Sequence, residues 1–258
     1  MLRWRLRKWV LHSAFAGVLL MLLLGASTLW SLFSFWLTQD LYPNVTYAAP
    51  DYRPEVSWTK TPPPGWVPFA ALPRAAWVSV LAAEDGGFFA HDGVEWQQSF
   101  DKIRSDIEKG EFPHGISTLN QQIAKNLYFG ARAPILRKFQ EIAVARRMDS
   151  VLGKKRVLEI YLNIAEWGPG VVGIGAAARY YFKRPASRLK ASEFALLANL
   201  LPNPRVRGTW VRNGRTPPQL SRIVSRTLRR MPSTERKARA AQQAAMNFAS
   251  NARATRRP

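Results

Sequence analysis

Ala82-Ala83-Glu84-Asp85-Gly86-Gly87-Phe88-Phe89-Ala90-His91-Asp92-Gly93 sets a carboxylate at the end of an apolar helix and breaks that helix at once with two glycines. Upstream, Trp77, Val80, Leu81 and Glu84 recur at helical spacing, and Pro73 suits the first helical position. Glu84 therefore lies on the apolar stripe. Desolvation there raises a carboxyl pKa, which suits a group that must accept a proton near neutral pH. A glutamate turned outward at a fraying helix end fits the local pattern equally well, and spacing alone does not choose.

A second block, Gly115-Ile116-Ser117-Thr118-Leu119-Asn120-Gln121-Gln122-Ile123-Ala124-Lys125-Asn126, opens another helix. Ser117 or Thr118 can cap it, and Leu119, Ile123 and Leu127 form its apolar face. Off that face stand Gln121, Gln122, Lys125 and Asn126, within reach of one another at three- and four-residue spacings. An ordinary polar face is the plain reading. Hydroxyls at a helix start together with a lysine also suit an anion or a sugar.

Working outward, Pro134 to Leu152 reads as a long helix stopped by Gly153, with Arg137, Lys138 and Glu141 in its early turns. A surface ion pair is the default for Arg137 and Glu141. Cations sit poorly in the first turns of a helix, however, and their presence hints at an anionic ligand. Further helices are expected over 97–110, 154–163, 176–182 and 192–201. Glycines 168, 170, 173 and 175 mark a close-running loop, and no convincing strand appears in the domain. The expected architecture is mainly α.

Before this body, Arg3, Arg5, Arg7 and Lys8 precede the uncharged run Trp9 to Leu37. As a helix that run would measure about 44 Å at 1.5 Å per residue, enough to cross a bilayer with tilt. The basic end is expected to stay cytoplasmic. A cleaved signal peptide ending near Gly25-Ala26-Ser27 competes, but the apolar run outlasts a usual signal core. Expected boundaries are a basic stub over 1–8, a membrane helix over 9–37, an extended Pro-rich stalk over 38–66, a catalytic domain over 67–205 and a basic tail over 206–258. In the tail an amphipathic helix is expected over 218–231, another helix over 238–248, and disorder at the end.

There is no cysteine, so disulfides and thiolate zinc sites are unavailable, and three scattered histidines do not make a metal cage. The net charge of +21 calls for an anionic partner: nucleic acid, anionic lipid or a phosphorylated substrate. From Arg205 onward Glu235 is the sole acid, which suits a tail lying near acidic headgroups.

Four blocks stand in fixed order: Glu84-Asp85-x-x-Phe88-x-x-His91-x-Gly93; Gly115-x-Ser117-Thr118-x-x-Gln121-Gln122-x-x-Lys125-Asn126; Arg137-Lys138-x-x-Glu141; and Lys154-x-x-Val157-Leu158-Glu159-x-Tyr161-Leu162-Asn163. Together they closely resemble the peptidoglycan glycosyltransferases, over about Val67 to Arg205. Ile116 stands where that family usually has Gly or Ala, and Glu95 where aspartate is usual. The resemblance implies a lysozyme-like domain that joins lipid II disaccharide units through β-1,4 bonds, inverting the donor's anomeric carbon and releasing undecaprenyl diphosphate. With the sequence ending at Pro258, no transpeptidase domain is expected, and the resemblance is to a monofunctional member on one anchor.

By that resemblance Glu84 is the base, and Glu141 orients cations or assists the leaving group. Lys125, Arg137 and Lys138 meet the diphosphate, while Ser117, Thr118, Gln121, Gln122 and Asn126 bind sugar or phosphate oxygens. Asp85, Phe88, His91, Gly93, Glu159 and Asn163 support the motif. No cofactor is required, no metal ligand set is visible, and a divalent ion at the diphosphate is compatible. Implied partners are lipid II, the nascent glycan strand and membrane lipid, with other cell-wall synthesis or division proteins compatible. The implied location is the bacterial inner membrane with the catalytic domain periplasmic. Two rivals remain: a lysozyme-like muramidase, which has no use for a diphosphate site, and a basic nucleic-acid binder, against which an extracytoplasmic domain argues.

Overall fold

The computed structural model describes residues 2–47, 54–111, 117–129 and 134–235. The architecture is mainly α. The first helix, α1 (Leu2–Thr38), contains a stretch, His12–Thr38, of 27 residues and mean hydropathy 2.0 that is long and apolar enough to cross a membrane. Its hydroxyls return to the helix: Thr28, Ser31 and Ser34 donate to the carbonyls of Leu24, Ser27 and Trp30 at 2.8–2.9 Å. Such local bonds satisfy polar groups where water is absent. The end of α1 is packed against protein. Ser31 and Phe35 are buried, Gln140 Nε2 donates to Ser27 Oγ at 2.5 Å, and Thr38 Oγ1 lies 2.9 Å from Tyr128 Oη.

The Pro-rich stretch departs from the expected stalk. β1 (Tyr42–Tyr47) and β2 (Pro54–Thr59) pair antiparallel, with Val45 opposite Val56 and Pro43 opposite Trp58. Val45 is buried, and the Tyr47 hydroxyl reaches the carbonyl of Ile164 at 3.3 Å, so the hairpin belongs to the folded body. Proline is tolerated here because the ribbon has two open edges, where no N–H need be donated.

The body is built around α2 (Arg74–Glu84), whose residues 76–82 are all buried. Pro73 is its N-cap, one position before the place expected. An α-helix covered on all sides is a core element rather than an amphipathic one. α3 (Trp96–Glu108) follows, then α4 (Leu119–Ala124), which passes into a π-helical turn over Lys125–Phe129. α5 (Pro134–Ile164) is two helices joined at Gly153, whose φ of 70° only glycine adopts readily. Beyond it come a small ribbon, β3 (Glu166–Gly168) with β4 (Val171–Val172), where a loop was expected, and α6 (Ile174–Phe182). α7 (Ala191–Ala198) packs on α2.

The expected tail is partly core. α8 (Pro204–Arg212) packs on β3, and a further helix, α9, spans 218–235. Leu220 and Met231 of α9 are buried, and its Thr227 accepts from Asn199 Nδ2 at 2.9 Å. The expected helix over 238–248 lies outside the described residues. Phe88, Leu81, Leu119, Ile123, Met148, Leu158, Trp167 and Phe194 are almost wholly enclosed. Each such Leu or Phe contributes about 1.5–3 kcal/mol relative to exposure.

Candidate active site

Glu84 is the last residue of α2, and the chain turns immediately after it. Asp85 fixes that turn. Its buried carboxylate accepts from the backbone N–H of Leu119 at 3.0 Å and from His91 Nε2 at 3.1 Å, while His91 Nδ1 accepts from Gly93 N–H at 3.1 Å. A negative charge at the first turn of α4 also complements the helix dipole. Thr118 caps the same helix in a reciprocal box. Its hydroxyl accepts from Gln121 N–H at 3.3 Å, and its N–H donates to Gln121 Oε1 at 3.0 Å. The Thr118 hydroxyl also donates to the Gly93 carbonyl at 2.7 Å. Gly93 has φ +94°, and a Cβ there would strike the Ala145 carbonyl of α5. The first two motif blocks thus lock α2, α4 and α5 together.

Thr118 and Gln121 are buried, and the cap occupies the Thr118 hydroxyl and the Gln121 side-chain carbonyl, a structural role beyond the expected contact with substrate oxygens. Gln122 is engaged at both ends. Its Nε2 donates to Glu84 Oε2 at 3.1 Å, and its Oε1 accepts from Tyr161 Oη at 3.0 Å. Burial pushes the Glu84 pKa up, against smaller opposing effects of the Gln122 bond and the positive charge of Arg207. Glu84 faces inward, and the frayed-end alternative falls.

Two of the expected cations, Arg137 and Lys138, lie at the N-terminal end of α4, and the third, Lys125, is its C-cap. Lys138 Nζ donates to Ser117 Oγ at 3.0 Å and to Glu141 Oε2 at 3.2 Å, and Arg137 Nε donates to Glu141 Oε1 at 2.8 Å. Glu141 is 3% exposed, so this ion pair is no ordinary surface bridge. Lys125 is exposed and Asn126 half-buried, and among the described residues neither side chain has a hydrogen-bond partner. Lys125 follows Gln122 by three positions, which puts it on the Glu84 side of the helix. Gly115 and Ile116 lie outside the described residues.

A cavity of about 890 Å³ opens beside Glu84. Gly86, Gly87, Glu95 and Gln98 line one part of it, and Arg230 and Ser233 of α9 another. Sequence reading missed Arg207 and Arg230 because both fell in the supposed tail. Arg205, Arg212, Arg222, Arg226 and Arg229 surround them, so no local signal set these two apart. Glu159 and Asn163 act as staples. Glu159 accepts from Trp66 Nε1 at 3.0 Å and Phe69 N–H at 2.8 Å, and Asn163 bonds both backbone groups of Val67 at 2.8 Å. Phe88 is fully buried with Lys154 Nζ 4.7 Å from its ring centroid.

The profile of the family described as transglycosylase matches residues 55–232, from within β2 to within α9. A biosynthetic peptidoglycan transglycosylase of Nitrobacter winogradskyi is 49% identical over 140 residues, 54% of this chain and 62% of that protein. One of Brucella suis is 45% identical over 160 residues, 62% and 70% of the two chains. One of Laribacter hongkongensis is 38% identical over 163 residues, 63% and 71%. The alignments therefore span 62–71% of these relatives' lengths. With more than half of its length matched by the family profile, this chain belongs to the transglycosylase family.

Proposed function

We propose that this protein polymerises peptidoglycan glycan strands, joining lipid II disaccharides through β-1,4 bonds and releasing undecaprenyl diphosphate. The observation that carries the reading is one buried-edge carboxylate, Glu84, set one short helix away from Ser117, Lys138, Arg137 and Glu141. A sugar hydroxyl is a poor nucleophile, and Glu84 takes its proton as the new C–O bond forms. The leaving diphosphate gains charge as its bond to the anomeric carbon breaks. Arg137 and Lys138, aimed by Glu141, and Lys125 at the C-terminal end of α4 stabilise it. Displacement is direct and inverting, without a covalent intermediate.

A divalent ion bridging the diphosphate would rest on the substrate's own oxygens. Among the described residues no group of three carboxylate or imidazole side chains stands together to hold one. No step is assigned to such an ion.

The proposal places α1 across the bacterial inner membrane with its N-terminus cytoplasmic and the body periplasmic. α1 bonds through Ser27 to Gln140, next to Glu141, so the helix bearing the cations is tied to the anchor. Enzyme and lipid substrate then share one surface, which raises their effective concentration. The proposal covers polymerisation alone and assigns no peptide cross-linking to this chain.

The test is purified full-length chain in detergent with lipid II. Long glycan is the expected product, inhibited by moenomycin. Fragments released from finished wall material, with no polymer from lipid II, would instead make the protein a muramidase.

A further inference from the structure

Gln122 is the only side chain that the described residues place in hydrogen-bond contact with Glu84. Its amide has two unlike ends, a carbonyl that accepts and an NH₂ that donates. With the NH₂ toward Glu84, the carboxylate is favoured. Turned by half a rotation, the carbonyl would face Glu84 and repel it. Something must hold the amide one way.

That group is the hydroxyl of Tyr161, which comes from the second half of α5, 39 residues further along the chain. It donates to Gln122 Oε1 at 3.0 Å, and its ring, 3% exposed, has no room to swing away. We infer that Tyr161 is a positioning residue for the transfer reaction: by fixing the amide of Gln122, it presents Glu84 as a carboxylate ready to take the acceptor's proton. The inference rests on the reading of Glu84 as the base.

The chain has a fixed direction, Tyr161 O–H to Gln122 C=O and Gln122 N–H to Glu84. Burial above all, with the negative charges of Glu84 and Asp85 nearby, pushes the Tyr161 hydroxyl well above its usual range, so it stays a donor at any working pH. The strength of the last bond also matters. A cation against Glu84 would hold it ionised but make it a feeble base, whereas a neutral amide favours the anion and leaves it able to accept a proton. When the acceptor's O–H proton arrives, the carboxylate loses its charge and the amide bond weakens. When the proton leaves to solvent, the bond is restored. Other charged groups set the background: Arg207 from α8, Asp85 from the same turn, and Glu95 and Arg230 across the cavity.

A tyrosine that merely fills the core would leave the base untouched, and the pH profile separates the two cases. Tyr161→Phe removes one oxygen and keeps the ring. In lipid II polymerisation by the full chain, it should move the acid limb of kcat/KM upward by about one pH unit, a tenfold change in the ionised fraction at a given acid pH. KM should change little. Gln122→Ala should move the same limb the same way, and the double variant should add nothing further, since the two groups act in series. A 3-fluorotyrosine at position 161, a stronger donor of nearly the same shape, should move the limb downward, and it serves even where Tyr161→Phe does not fold.

Carbon-13 NMR of the Glu84 carboxyl in detergent micelles reads the same titration without turnover. If Glu84→Gln kills polymerisation yet neither limb nor NMR titration responds to changes at Tyr161, the positioning role is wrong. If the NMR titration responds but Glu84→Gln polymerises normally, the hydrogen-bond chain stands and the base assignment fails, and the catalytic role of Tyr161 falls with it.

Discussion

Glu84 and Glu141 are the same residue type on two helices that both meet the α4 segment, and their surroundings differ. Glu84, at the end of α2, meets a neutral amide and the wall of a cavity. Glu141, in the first turns of α5, is clasped by Arg137 and Lys138. A carboxylate beside two cations is occupied in holding them, whereas one beside an amide is free to gain and lose a proton. Two identical side chains can take different roles when their environments divide them in this way.

The sharpest way to break this contrast is Glu84→Gln. With the base removed, polymerisation should fall by about 10²–10⁴-fold while circular dichroism stays unchanged. A variant retaining most of its rate would end the assignment. Glu141→Gln should cost less, about 10–100-fold in kcat, by releasing Arg137 and Lys138 from their geometry without removing the base. Its acid limb should stay where the wild type's lies; a shifted limb would mean that Glu141, too, exchanges protons. Lys125→Ala should slow turnover by about tenfold, the loss of one exposed cation near the leaving group. An unchanged rate would place the diphosphate wholly on the α5 cations.

The smallest effect concerns stability. Because burial raises the pKa of Glu84 in the folded state, the unfolded chain ionises first as pH rises. The folded state then binds more protons than the unfolded one. Stability is full below the unfolded-state pKa and is lost as pH climbs through the folded-state value. Glu84→Gln should therefore raise Tm modestly at neutral pH, with the gain fading in acid. No such gain is expected for Glu141→Gln, which strands two cations. Thermal melts of the two variants across pH would show whether the contrast extends from catalysis to folding.

Local pattern carried much of this. The helix ending at Glu84, the break at Gly86-Gly87, the cap at Thr118 and the kink at Gly153 all follow from residues within a turn or two of one another. The hairpin did not show, because Val45 and Val56 are ordinary residues among prolines until they pair across the ribbon. α9 showed as an amphipathic helix but not as core, because its arginines pointed to acidic headgroups rather than to the body that buries Leu220, Thr227 and Met231.

The motif blocks in their fixed order determined the family, apolar periodicity the mainly helical architecture, and the uncharged run up to Leu37 the membrane-length helix, since these depend on residue type and spacing along the chain. Which polar groups face the cleft was decided only by folding. Thr118 and Gln121 turned inward to a cap, Gln122 became a bridge, and Tyr161 and Arg207 arrived at Glu84 from far along the chain. A hydrogen bond is short and directional, so its partner is settled by where distant helices come to rest, and spacing along one helix cannot state it.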